Sequence, residues 1–175
     1  EPRKFSAMKI AQPADIRNFA LVGHATSGKT TLAEAMLYCG GAIQRLGSVA
    51  QGSTVSDYHV GEQQRRISVH GTTLHCAWQG RQLNFIDTPG YLDFSSEAIH
   101  ALRVADFAVI VIHASHGIGV GTEMMWDYAG QCGIPRLIVI NALDKENYDF
   151  DALVAEIRGR FGREIFPLQV PVDAG

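Results

Sequence analysis

The stretch Gly23-His24-Ala25-Thr26-Ser27-Gly28-Lys29-Thr30 fits the pattern G-x-x-x-x-G-K-[ST] without a mismatch. An apolar run, residues 19–22, precedes it, and a helix-forming run, residues 31–37, follows it. A strand, a glycine-rich loop and a helix in this order surround bound phosphate with backbone N–H groups at a helix N-terminus. The flanking strand and helix disfavour the alternative, an ordinary glycine-rich turn that only caps a helix.

This phosphate loop predicts a bound nucleoside phosphate. Lys29 reaches the β- and γ-phosphate oxygens, and the Thr30 hydroxyl is the natural Mg²⁺ ligand. The loop by itself does not choose between ATP and GTP. The predicted nucleotide-binding residues of this segment are Gly23, His24, Ala25, Thr26, Ser27, Gly28, Lys29, Thr30 and Thr31.

Composition sets the class of protein. A chain of 175 residues with 46% hydrophobic residues can bury the core of one globular domain. The net charge of −3 argues against nucleic-acid binding through the overall field of the domain. No apolar run approaches the length of a membrane span, so we expect no membrane partner. Three scattered cysteines, Cys39, Cys76 and Cys132, indicate reduced, mostly buried thiols in a cytoplasmic protein.

Apolar runs and helix-forming segments alternate along the chain and predict an α/β fold with a mostly parallel central sheet. The second and third strands are expected to form an antiparallel edge through a turn near residue 80. Residues 40–72 are polar and show no clear periodicity, which is typical of a functional or mobile loop. The predicted strands are residues 18–22, 73–78, 82–86, 107–113, 136–140 and 167–170, and the predicted helices are residues 29–38, 95–103, 121–132 and 150–161.

A second motif, Asp87-Thr88-Pro89-Gly90, ends the third predicted strand. Carboxylates at strand ends of open α/β sheets point into the crevice where ligands bind. We therefore predict that Asp87 holds Mg²⁺ through a water and that the Gly90 amide meets the γ-phosphate. The alternative is a proline turn that only ends a strand.

A third motif, Asn141-Ala142-Leu143-Asp144, follows the fifth predicted strand. A carboxylate at Asp144 can accept hydrogen bonds from guanine N1 and N2, donors that adenine does not offer. Asn141 is expected to brace the phosphate loop and the purine edge. Ala142 stands where the usual N-K-x-D motif has a lysine that covers the base. The alternative is that this segment only caps a helix.

In their order and spacing these motifs resemble the GTP-binding (G) domain of translational GTPases, closest to bacterial elongation factor G and its divergent paralogues. The resemblance implies a P-loop NTPase fold with three αβα layers, GTP and GDP as ligands, and Mg²⁺. It also implies ribosome-stimulated GTP hydrolysis by a protein with further domains. The matching runs are residues 23–31, 52–58, 84–94, 102–106 and 133–136.

The resemblance also suggests how the chain is organised. Residues 1–17 are expected to form an N-terminal extension and residues 18–175 the G domain. Residues 167–173 resemble a family segment that precedes an insertion and the last guanine-contacting loop, and neither follows here. We therefore expect a piece of a larger protein that lacks one guanine contact and is a monomer when isolated.

Two departures from the family pattern concern cation binding. Where the family reads E-R-G-I-T-I in switch I, this chain reads Gln64-Arg65-Arg66-Ile67-Ser68-Val69. Ser68 keeps a hydroxyl for Mg²⁺. Thr26 replaces an acid and Arg66 a glycine of the family's monovalent-cation site, so that site is expected to be missing. Arg66 is a candidate arginine finger, and the alternative is a solvated charge.

A further departure concerns hydrolysis. Tyr91 stands where the family has the histidine that positions the attacking water. A phenol orients water by hydrogen bonds but is not cationic near pH 7. The predicted catalytic residues are Lys29, Gly90 and Tyr91, and the predicted metal-binding residues are Thr30, Ser68 and Asp87. A non-hydrolysing switch that binds the ribosome is the main alternative, and a P-loop ATPase of unrelated role is a weaker one.

Overall fold

The computed structural model describes residues 12–144 and 148–172. Its centre is a five-stranded sheet with the order β2-β3-β1-β4-β5, in which β2 and β3 are antiparallel and the other neighbours are parallel. The predicted sheet, mostly parallel with one antiparallel edge strand, is therefore confirmed. The strands are β1 (Ile16–Val22), β2 (Thr72–Trp78), β3 (Arg81–Asp87), β4 (Phe107–His113) and β5 (Arg136–Asn141).

Helices cover both faces of the sheet and give the predicted three layers. On one face, Ala33 and Leu37 of α1 pack with Phe19 and Leu21 of β1. On the other face α3 and α4 pack against the remaining side chains of β1 and β4, and α5 packs beside Ile112. The helices are α1 (Lys29–Cys39), α2 (Val60–Arg65), α3 (Ser95–Val104), α4 (Val120–Gln131) and α5 (Phe150–Phe161), with 3-10 turns at Pro13–Asp15, Val49–Gln51 and Leu92–Phe94.

The register of the parallel strands brings the three sequence motifs to one edge of the sheet. Leu21 of β1 pairs with Asp87 of β3, and His113 of β4 pairs with Asn141 of β5. Because parallel strands end at the same edge, the loops after β1, β3 and β5 are neighbours.

Three expectations need correction. Residues 167–170 are not a strand, since the described residues give them no ladder partner, and Leu168 and Val170 are exposed. Residues 40–72 contain α2 and a 3-10 turn, so the long loop is partly regular. The cysteines are free, but Cys39 and Cys132 are exposed, because they lie at the ends of α1 and α4.

Some expectations fall on undescribed parts of the chain. Residues 1–11, 145–147 and 173–175 lie outside the described residues, so most of the proposed N-terminal extension and the end of the segment 167–173 have no structural account here. The division into residues 1–17 and 18–175 stays a prediction. In the described ranges no helix combines the length and apolarity needed to cross a membrane.

Candidate nucleotide-binding site

The phosphate loop joins β1 to α1, and two of its glycines have conformations that other residues rarely adopt. Gly23 has φ 136° and Gly28 has φ 91°. A Cβ on Gly23 would lie 2.5 Å from the Val111 carbonyl oxygen, and one on Gly28 would lie 2.1 Å from Asn141 Nδ2. These positions therefore require glycine. They place the loop against β4 and against the base motif, residues 141–144.

The other residues of the phosphate loop differ in their contacts and exposure. His24 accepts a hydrogen bond at Nδ1 from the Gly121 N–H (3.3 Å), which ties the loop to α4. Ser27 is buried, whereas Thr26, with φ 60°, is exposed. Ala25 faces Gly90, and Thr31 is exposed on the first turn of α1.

Lys29 is held inside the loop with only 5% of its surface exposed. Its ammonium donates hydrogen bonds to the carbonyl oxygens of Gly23 (3.1 Å) and His24 (2.7 Å). Burial lowers the pKa of Lys29 to about 8, against the opposing effect of the negative Asp87. A buried ammonium with neutral partners is poised to exchange those carbonyls for phosphate oxygens, which would stabilise its charge.

This pKa predicts that nucleotide binding weakens at alkaline pH. Phosphate oxygens favour the ammonium, so the pKa of Lys29 rises on binding above its free value of about 8. Between pH 7 and pH 8 the affinity should therefore change little, and above pH 8 the affinity should fall, by up to about tenfold per pH unit. The measurement is the GDP dissociation constant at pH 7 and pH 9. A Lys29→Arg variant, whatever its absolute affinity, should lose most of this slope, because arginine stays charged; equal wild-type and variant slopes contradict the prediction.

Hydroxyl and carboxylate oxygens converge beside the loop. Thr30 Oγ1 lies 3.2 Å from Ser68 Oγ, and Ser68 donates a hydrogen bond to Asp57 Oδ1 (2.7 Å). Ser56 donates a hydrogen bond to Asp87 Oδ2 (2.7 Å). The structure thus brings together the predicted metal-binding residues Thr30, Ser68 and Asp87.

The donor set fits Mg²⁺. Asp87 is 1% exposed, and its Oδ1 has no hydrogen-bond partner among the residues that the structure describes. Burial raises the pKa of Asp87 to about 6, opposed by the hydrogen bond from Ser56, by the nearby Thr30 hydroxyl and by the charge of Lys29. An unpaired buried carboxylate oxygen is costly unless a cation or its water meets it, and Mg²⁺ prefers oxygen ligands.

Sequence reasoning gave no role to Ser56 and Asp57. Both are buried, at 2% and 3% exposure. Burial raises the pKa of Asp57, against the lowering effect of its hydrogen bond from Ser68. The sequence offered one indication, a hydroxyl next to a carboxylate within the matching run 52–58. No periodicity distinguished this pair from the rest of the polar loop.

The D-T-P-G turn packs directly on the phosphate loop. Thr88 is buried and donates a hydrogen bond to the Leu21 carbonyl (2.6 Å), and Pro89 is buried beside it. A Cβ on Gly90 would lie 2.4 Å from Lys29 Nζ and 2.7 Å from the Cα of Ala25. Only glycine allows this approach, which places the Gly90 backbone next to the Lys29 ammonium.

Tyr91 follows Gly90 and is 40% exposed. It is the N-cap of the 3-10 turn Leu92–Phe94 and lines a small cavity together with Gly23 and Gly90. Tyr91 is therefore a surface residue next to the Gly90 turn, and the cavity that it lines extends towards α3 and α4.

The base motif is braced on the phosphate loop as predicted for Asn141, whose Nδ2 donates a hydrogen bond to the Ser27 carbonyl (3.1 Å). Ala142 has φ 63°, and the Leu143 carbonyl accepts a hydrogen bond from the Tyr148 hydroxyl. Asp144 is exposed. The next helix in the described residues, α5, begins at Phe150 and has Asp149 as its N-cap. Asp144 therefore does not cap α5.

Arg66 is the exposed C-cap residue of α2, with φ 57°. This left-handed conformation costs a non-glycine residue about 1 kcal/mol. Arg66→Gly should therefore raise the free energy of unfolding by about 0.5–1 kcal/mol, measured by urea denaturation. Arg65→Gly, inside the same helix, should instead lower it by about 1 kcal/mol. Destabilisation by both substitutions contradicts the strain at Arg66.

The loop between β1 and α1 encloses Lys29, and Asp87 lies beside it at the end of β3. Asn141 holds the same loop through the Ser27 carbonyl. This arrangement defines a P-loop nucleotide-binding domain of the G-domain class. The sequence profile of the family described as "Elongation factor Tu GTP binding domain" matches residues 14–172. The chain belongs to this family.

Individual relatives agree with this assignment. The chain is 38% identical over 157 residues to elongation factor G 2 of Streptomyces coelicolor and to elongation factor G 2 of Hahella chejuensis. Each match covers 90% of this chain and 23% of the relative. A crystal structure of a Thermus thermophilus protein is similar with a TM-score of 0.82 and 42% identity, over 85% of this chain and 22% of that one.

The predicted resemblance to the G domain of elongation factor G is therefore confirmed, and family and relatives point to a GTPase. The chain spans less than a quarter of the length of these relatives.

Proposed function

We propose that this chain is the G domain of an elongation-factor-G-like translational GTPase, which hydrolyses GTP with Mg²⁺ when the ribosome stimulates it. The observation that carries the proposal is the convergence of Lys29, Thr30, Ser68 and Asp87 at the end of β1 and β3. We also propose the cytoplasm as its location, the ribosome as the partner of the full-length protein, and a monomeric isolated domain without membrane contact.

The residues divide the work of phosphoryl transfer. Lys29 neutralises charge on the β- and γ-phosphates, and the Gly90 N–H faces the γ-phosphate. Bound Mg²⁺, held by Thr30 and Ser68 and by Asp87 through a water, would supply further charge neutralisation on the phosphate oxygens. Tyr91 would orient the attacking water through its hydroxyl, and Asn141 and Asp144 would hold the guanine.

A second candidate is a non-hydrolysing switch that binds the ribosome in the GTP state and leaves after nucleotide exchange. The exposed Tyr91 favours it, because a tyrosine rather than a histidine follows Gly90. Single-turnover GTP hydrolysis by the full-length protein, with and without ribosomes, separates the two. Stimulation by ribosomes supports the GTPase, and equal slow rates, near the ~10⁻⁴ per second of unassisted G domains, support the switch.

Tyr91 gives a residue-level test of the hydrolytic step. Tyr91→Phe removes the hydroxyl and should lower ribosome-stimulated hydrolysis by about tenfold or more, whereas Tyr91→His should preserve or raise the rate. Tyr38→Phe, an exposed tyrosine on α1, is the matched control. An unchanged rate in Tyr91→Phe means that another group carries this step, and Arg66 is the first to test.

A further inference from the structure

Two glutamates outside the phosphate loop are almost completely buried. Glu34 on α1 is 1% exposed and Glu62 on α2 is 2% exposed. Each accepts hydrogen bonds from backbone N–H groups: Glu34 from two and Glu62 from three. A buried carboxylate is costly unless such bonds satisfy it, so each glutamate fixes the backbone that it contacts.

The segment that they contact has little else to hold it. Between residues 40 and 70, all of them described, the buried side chains are Thr54, Ser56, Asp57 and Glu62. None of these four is apolar. Beyond Ile43, which packs partly buried against the core, hydrogen bonds rather than hydrophobic burial therefore determine where this segment lies.

Glu34 fixes the backbone next to Ser56. One carboxylate oxygen accepts from the Gly47 N–H (2.9 Å) and the other from the Val55 N–H. The residue after Val55 is Ser56, whose hydroxyl donates to Asp87. Glu34 also lies one helical turn after Thr30, so one face of α1 presents a predicted metal-binding hydroxyl and the anchor of the segment that covers it.

Glu62 fixes the backbone next to Ser68. Its Oε1 accepts from the N–H groups of Val69 and His70, both at 2.9 Å, and its Oε2 accepts from the His59 N–H (3.3 Å). The residue before Val69 is Ser68, whose hydroxyl lies between Thr30 and Asp57. The two glutamates thus stand beside the two serines that reach the predicted metal site.

We propose that Glu34 and Glu62 are positioning residues for the GTP-bound state. They act through the backbone to hold Ser56 against Asp87 and Ser68 against Thr30. The effect on GTP rests on the proposed function, because it requires Ser68 to contribute to a Mg²⁺–GTP site. The anchoring of the segment is measured independently of nucleotide.

The test uses Glu34→Gln and Glu62→Gln in the full-length protein. The matched control is Glu97→Gln, because Glu97 accepts one backbone N–H, that of Gly71 (2.9 Å), which lies outside the two stretches that Glu34 and Glu62 hold. Without nucleotide, amide hydrogen exchange should speed up about tenfold over residues 47–56 in Glu34→Gln and over residues 59–70 in Glu62→Gln. With Mg²⁺, both variants should lose about tenfold in GTP affinity and less than twofold in GDP affinity. Glu97→Gln should keep both affinities.

A double-mutant cycle decides whether Glu34 acts through Ser56. Ser56→Ala alone should also lower GTP affinity, without faster exchange at Gly47, and adding it to Glu34→Gln should cost little more. Additive losses, equal losses of GTP and GDP affinity, or unchanged exchange overturn the proposal. If wild-type GTP binding does not depend on Mg²⁺, the proposed function fails instead, and the exchange result still decides the anchoring.

Discussion

Replacing Lys29 with methionine is expected to weaken the binding of both GTP and GDP by about a thousandfold. The ammonium is enclosed by the phosphate loop, where it contacts the carbonyl oxygens of Gly23 and His24. In the complex it would donate about two charge-assisted hydrogen bonds to phosphate oxygens, each worth about 1.5–3 kcal/mol. Since each 1.4 kcal/mol is a factor of ten, the expected loss is about 10² to 10⁴.

The loss should not reflect unfolding. Burial already lowers the pKa of Lys29, which means that the charged side chain is costly to the free domain. Methionine has a similar shape without that charge, so the thermal midpoint of the nucleotide-free variant should match or exceed that of the wild type. Arg103→Ala, on the exposed face of α3, should leave nucleotide affinity unchanged. A Lys29→Met protein that folds and still binds GDP normally contradicts the role of the phosphate loop.

Converting Asp144 to asparagine is expected to move the base preference from guanine to xanthine. The carboxylate would accept from guanine N1 and N2, whereas xanthine has a carbonyl where guanine has its amino group. An asparagine amide can donate to that carbonyl and accept from N1. Two charge-assisted bonds of about 1.5–3 kcal/mol predict a loss of guanine affinity of about a hundredfold or more. Competition of GDP and XDP against a labelled nucleotide measures the change.

Asp149→Asn is the matched control for this substitution. Asp149 is the first described acidic residue after Asp144. It caps α5 by accepting a hydrogen bond from the Ala152 N–H (2.9 Å). Asparagine also caps helices well, so this variant should keep both its stability and its preference for guanine. If Asp144→Asn leaves the ratio of GDP to XDP affinity unchanged, Asp144 does not read the base.

Much of the fold could be predicted because its elements are determined locally. β4 is a continuous apolar run, and a strand covered on both faces needs no other signal. The failure at residues 167–170 has the opposite cause, because an apolar alternation forms a strand only when a partner supplies the ladder.

The site could be predicted where a motif fixes backbone geometry. At Gly23, Gly28 and Gly90 a Cβ would collide with neighbouring atoms. The pattern of glycines in the sequence therefore predicts the backbone conformation of these loops. Ser56, Asp57, Glu34 and Glu62 were missed because their contacts join segments that sequence spacing does not link. Glu34, for example, accepts from residues 13 and 21 positions away. Such side chain to backbone bonds leave no periodic signal.

The central claim is that this domain binds guanine nucleotides, and a competition titration of the wild-type protein with GTP, GDP, ATP and XTP tests it most directly. Asp144 predicts that GTP and GDP displace a labelled GDP at concentrations at least about a hundredfold lower than ATP or XTP, since adenine and xanthine lack one or both donors. Ala142 predicts weaker absolute affinity than in G domains that have the covering lysine, without a change in this order. Equal displacement by ATP and GDP would contradict the account.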